Sequence, residues 1–124
     1  MSKHTKKNRK GSYQERTDIF EQSVEFLAIT ARIIDTIPNG RTAIATRLKH
    51  AAFSVSVNIE KGGGDIPLDE KQKFYTIARD SAMECRAIMD VCKMLQLIDK
   101  KTLNLGKNIL TQIIRIASEK CENE

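Results

Sequence analysis

Phe74, Ala78, Ser81, Cys85, Ile88, Cys92 and Leu95 follow one another at alternating spacings of four and three without a break. Only an α-helix brings such a series to one side, because 3.6 residues complete a turn. The seam predicts a helix from about Pro67, where proline suits the first turn, to about Leu97. A helix of that length in a chain of 124 residues must be covered along its whole side by other elements.

Those elements read as three more helices. Asp18-Ile19-Phe20-Glu21 has the form of a capping box, with a carboxylate at the start and Glu at the third helical position. Helix 1 is expected from there to about Ile37. Phe20, Val24, Leu27, Ala31 and Ile34 make one seam on it, and Ile19, Phe26 and Ile33 make a second beside it. A helix with two seams can face its own bundle and also a neighbouring subunit. Pro38-Asn39-Gly40 ends it. Helix 2 is expected from about Thr42 to Lys61, with Ile44, Leu48, Ala51 and Val55 on its stripe and many small residues for close approach. Gly62-Gly63-Gly64 breaks it. Asp99 is placed to cap helix 4, which is expected to reach about Ala117 with Leu103, Leu110, Ile113 and Ile114 inward. No strand pattern competes. The expected fold is all-α, an antiparallel up-down four-helix bundle, with a disordered basic tail over residues 1–16, the bundle over 17–118 and a short acidic tail over 119–124.

The charge is unevenly placed. Residues 1–16 hold six basic groups (Lys3, Lys6, Lys7, Arg9, Lys10, Arg16) and one acid, Glu15. The rest of the chain carries 15 groups of each sign, so the formal charge of +5 resides in the tail. Such arms touch phosphate or serve only solubility. Within the bundle, Arg41, Arg47, Lys49 and His50 occupy a stretch from Thr36 to Ile59 that contains no acid. Apolar runs are far too short to span a bilayer, and the polar N-terminus has no signal-peptide core. A cytoplasmic location is expected. Cys85 and Cys92, about 10 Å apart along one helix, read as small core residues, and Cys121 as an exposed thiol.

Little in the chain points to catalysis. A di-metal bundle site needs inward Glu and Glu-x-x-His pairs, and His4 and His50 both lack the preceding Glu. The glycine run follows no strand and precedes no Lys-Ser or Lys-Thr pair, so the phosphate-loop pattern fails. No metal, cofactor or enzymatic activity is expected. Asn58 and Ser81 fall on apolar seams, with Glu84 one turn from Ser81. Buried polar groups need partners, so these three are expected to meet between helices 2 and 3, as a network that fixes register or as a ligand site. Aromatic residues are scarce and fall mostly on core seams, which disfavours base stacking.

Lys49-His50-Ala51-Ala52-Phe53-Ser54-Val55-Ser56-Val57-Asn58-Ile59, followed by Gly62, resembles the second-helix signature of the 23S rRNA intervening sequence proteins, Arg-Ala-Ala-x-Ser-Ile-x-x-Asn-Ile-Ala-Glu-Gly. Phe74-Tyr75-Thr76-Ile77-Ala78 with Ser81 and Glu84 is similar to that family's Phe-Leu-x-x-Ala-x-x-Ser-x-x-Glu. The resemblance spans residues 18–117. Asn58, Gly62, Ser81 and Glu84 match the pattern. His50 stands in place of the usual Arg, and Glu60-Lys61 in place of Ala-Glu. The resemblance implies a bundle that assembles into a homopentameric ring. It also implies a likeness to the accessory protein of diversity-generating retroelements, a basic pentamer that works with a reverse transcriptase and RNA.

The expected function is therefore a non-enzymatic assembly protein that binds nucleic acid, RNA foremost, as an accessory to a reverse transcriptase or another RNA–protein complex. The cations named above would contact the phosphate backbone. The alternative is a homo-oligomeric protein scaffold that binds no nucleic acid.

Overall fold

The computed structural model describes the backbone of residues 2–122 and side chains from Asp18 to Glu122. Among the described residues there are four α-helices and no strand: α1 (Ser2–Thr36), α2 (Thr42–Gly62), α3 (Leu68–Met94) and α4 (Lys100–Glu122), with a 3-10 turn at Asn39–Arg41 before α2. Several boundaries differ from the sequence reading, and α3 ends at Met94 rather than about Leu97. Because α1 runs through Asp18, the capping box is not a helix start. Six of the residues before it are Lys or Arg, which favour helix, and none is a proline that would stop one. Pro67 stands just outside α3 as its N-cap, its carbonyl accepting the amides of Glu70 and Lys71. At the other end of the chain, α4 continues through Ser118 to Glu122, which takes in residues expected to form the acidic tail. Asn123 and Glu124 lie outside the described residues.

Every helix contributes to one core. Phe26 and Ile33 of α1, Leu48 and Val55 of α2, Cys85 and Met89 of α3, and Leu110 and Ile113 of α4 are all buried in it. The seams are rotated from where periodicity alone centred them. On α1 the buried line is Ile19, Phe26 and Ile33, while Val24 on the other seam is 44% exposed. On α3 the buried line passes through Tyr75, Ala78, Ala82, Cys85, Met89 and Cys92, leaving Phe74, Ser81 and Ile88 half-buried on its flank. A helix wedged between two neighbours buries a strip wider than one seam, and spacing does not reveal the strip's centre. α3 does lie between two neighbours, packing most extensively on α2 and α4.

Small residues let the helices close up. Gly106 of α4 faces the thioether of Met89, where a Cβ would stand 2.6 Å from the Met89 methyl carbon. Between α3 and α4, Asp90 pairs with Lys107 at 2.9 Å and Arg79 donates to the sulfur of Cys121 at 3.4 Å. Ile29, Arg32 and Thr36 of α1 border a cavity of about 460 Å³ together with Leu97, Asp99 and Lys101. The α1–α2 and α3–α4 connections thus share one end of the molecule. Among the described residues, no helix is long and apolar enough to cross a membrane.

Candidate nucleic-acid interface

The first half of α2 carries the cations that sequence singled out. Arg41 closes the 3-10 turn, its amide donating to the Pro38 carbonyl at 2.8 Å, and it stands exposed at the N-terminus of α2. That terminus has no acid in its first turn, so the helix dipole adds to the positive field. Lys49 and His50 are exposed on the edge of a groove of about 490 Å³ whose walls include Leu27, Ile34 and Phe53. Arg47 turns the other way. Its Nε and Nη2 donate to the same Glu84 oxygen, at 3.1 and 2.9 Å. Arg47 and His50, three residues apart, therefore work on different sides of α2.

The neutral total of the folded part conceals a separation. Residues 26–53 cross the α1–α2 connection and residues 82–113 cross the α3–α4 connection, and these two connections meet at one end. Together the two segments, cut at one level by the Ser23–Ser56 and Ser54–Ser81 contacts, hold nine Lys and Arg residues and four acids. The remaining segments, 18–25, 54–81 and 114–122, hold six and ten. Among the described side chains, one half of the bundle is basic and the other acidic. Arg32, Arg41, Lys100 and Lys101 all lie exposed in the basic half.

The three polar residues do not form one cluster. Asn58 donates to the carbonyl and the hydroxyl of Ser54, at 2.8 and 3.2 Å, and the Ser54 hydroxyl bonds that of Ser81 at 2.7 Å. Ser54 is thus the link between Asn58 and Ser81. In the sequence it stands one turn before Asn58 and matches the Ser of the Ala-Ala-x-Ser pattern. Glu84 stays apart, held by Arg47. All three expected members are half-buried rather than enclosed. A fully buried pair lies elsewhere, where Ser56 of α2 donates to Ser23 of α1 at 3.1 Å and Ser23 donates to the Phe20 carbonyl at 2.6 Å.

The thiols are quiet. Burial pushes Cys85 up to about 12 and raises Cys92 as well, so neither forms a thiolate near neutrality. Cys121, expected to be exposed, is half-buried beside Arg79 and the Ser118 carbonyl. Lys3, Lys6, Lys7, Arg9 and Lys10 lie outside the described side chains.

A sequence profile described as 23S rRNA-intervening sequence protein matches residues 15–119. No curated protein matches significantly. The chain is similar to a solved structure described as a protein with unknown function from the S23 ribosomal protein family of Bacteroides thetaiotaomicron. The two are 14% identical with a TM-score of 0.79, and the match covers 87% of this chain and 98% of the other. That likeness is one of fold.

Proposed function

The chain belongs to the 23S rRNA-intervening sequence protein family, and we propose that it is a non-enzymatic, self-assembling protein that binds nucleic acid, RNA foremost, through the phosphate backbone. On this reading the four helices run up and down in antiparallel order, copies associate into a ring of five, and the ring serves a reverse transcriptase or another RNA–protein complex in the cytoplasm. The separation of charge carries the reading. Nine Lys and Arg against four acids in one half of the fold attract phosphate there, while the acidic half repels it. Copies set side by side with their helices parallel would collect their basic halves on one rim. Binding of this kind is salt-sensitive and nearly blind to sequence.

Filter binding of structured RNA across a salt series tests the proposal. Reversing two charges in the basic half (Arg41→Glu with Lys101→Glu) is expected to weaken binding and to flatten the log–log salt slope by about 0.7–0.9 for each phosphate no longer neutralised. Reversing Lys61 and Lys73, in the acidic half, should change binding less. Equal losses from both pairs would refute a localised interface. Absence of binding by the unmodified chain at low salt would leave the homo-oligomeric scaffold. That second reading draws support from the large apolar side chains left on the surface, Phe53, Val91 and Met94 among them.

A further inference from the structure

We propose that copies of this chain join through two different faces, an apolar ridge on α3 of one copy seated in the α1–α2 groove of the next. The proposal rests on the self-assembly reading above and identifies the surfaces that carry it.

The groove is lined by Leu27, Ala31 and Ile34 of α1 and Phe53 of α2. Phe53 is 61% exposed, an unusual position for a ring that gains so much from burial. The ridge is the outward side of α3, where Met83, Val91 and Met94 are 45%, 46% and 83% exposed, with Ala87 between them. These positions follow one another at helical spacing on one strip.

Two relationships fit the ridge to the groove. The first is height along the helices. Ser23 meets Ser56 and Ser54 meets Ser81. Stepping across these registers at constant height takes Leu27 to near Ala52 and then to near Met83, and takes Ile34 to near Ala45 and then to near Asp90. Groove and ridge thus occupy the same level on different sides of the molecule. Copies can then repeat by rotation about an axis along the helices without rising, which closes a ring rather than a filament. The second is charge. Lys49, His50 and Asp35 edge the groove, and Asp80 and Glu84, paired within the chain to Arg79 and Arg47, lie beside the ridge. At equal height Lys49 comes within a turn of Glu84, so opposite charges meet at the rim.

Light scattering at micromolar concentration on the full chain and two variants, Phe53→Glu in the groove and Met94→Glu on the ridge, tests the proposal. Both side chains are exposed, and far-UV circular dichroism is expected to show unchanged helicity; Ala31→Glu and Val91→Glu repeat the test should either variant unfold. The unmodified chain should be a multi-chain species, and each variant should fall to the single-chain mass of 14.0 kDa. An equimolar mixture of the two should form a species of two chains and nothing larger, because one intact groove and one intact ridge remain. A mixture that stays monomeric overturns the proposal, as does a Met94→Glu variant that assembles like the parent. If both variants assemble normally, the groove serves another occupant, a peptide or small molecule, and self-assembly uses other surfaces. A monomeric parent chain overturns the self-assembly reading itself.

Discussion

Gly62, the last residue of α2, lies against the ring of Tyr75 on α3, and a Cβ there would stand 2.8 Å from Cε2 and 3.0 Å from Cδ2. Alanine is favoured over glycine inside a helix by up to about 1 kcal/mol, and less at its last residue. Against that, Tyr75 is 2% exposed and fixed in the core, and crowding a packed core costs about 1–3 kcal/mol. The clash should win. Gly62→Ala is expected to lower stability by about 1–2 kcal/mol in urea denaturation; a raised midpoint would show that the ring yields.

The same residue shows what could be read in the sequence. The glycine run is legible as a break because few sequences continue a helix through it, and all four helices follow from such punctuation and from four–three spacing. What Gly62 touches is not legible, since Tyr75 is distant in sequence. Nor is the clamp by which the Lys71 ammonium holds the carbonyls of Gly62 and Gly64, which ties the glycine connection to α3. Helix rotation was hidden for a related reason. Val24 and Phe26 sit on equally good seams, and only the neighbours decide that Val24 is exposed and Phe26 buried. At the candidate site, the cations were legible as residues. Their environment was not, because Glu84 reaches Arg47 across 37 positions and the balanced charge of the folded part separates into halves only in three dimensions.

Gln96 is the one described residue other than glycine with positive φ, 61°. It follows the α3 C-cap, with its amide on the Lys93 carbonyl and the Leu97 amide on that of Cys92, the pairing of a Schellman ending. A side chain in this conformation is strained by roughly 1–2 kcal/mol, while glycine loses more entropy on folding. Gln96→Gly should therefore raise stability by about 0.5–1 kcal/mol, read as a higher Tm. A lowered Tm would mean that the Gln96 side chain has stabilising interactions of its own.

Asp99 caps α4, its carboxylate accepting the Thr102 amide at 2.7 Å. Hydrogen bonding from the Thr102 hydroxyl, then from its amide, holds the Asp99 pKa below the usual value. A depressed folded value means stability that is complete above the unfolded pKa of about 3.9 and is lost as pH falls through the lowered folded one. Asp99→Asn keeps an acceptor but cannot titrate. The Tm advantage of the parent over this variant should be present at neutral pH and shrink in acid, and an advantage that grew in acid would contradict the assignment.

The Arg47–Glu84 pair is 73% and 42% exposed, which limits its worth to at most about 1 kcal/mol. Breaking it should matter more to binding than to folding. Glu84→Gln removes an acid of the basic half and frees Arg47 for phosphate. RNA binding should tighten, and the salt slope should steepen by up to about 0.7–0.9, with Tm almost unchanged. Weaker binding by a folded Glu84→Gln protein would mean that the pair itself, rather than a free Arg47, shapes the surface.

The basic arm adds to this surface only if it reaches the same RNA. It carries six basic groups and one acid, and in a ring several arms would act at one nucleic acid through high effective concentration. Deleting residues 1–16 is therefore expected to reduce affinity and flatten the salt slope by about 0.7–0.9 for each phosphate the arm neutralises. Because every helix keeps its described core residues, the first of them Ile19, helicity downstream and oligomer mass should persist. Arg41→Glu in the truncated chain should weaken binding further if arm and basic half act together. Full affinity and an unchanged slope after truncation would reduce the arm to a solubility segment and leave the basic half of the fold to bind alone.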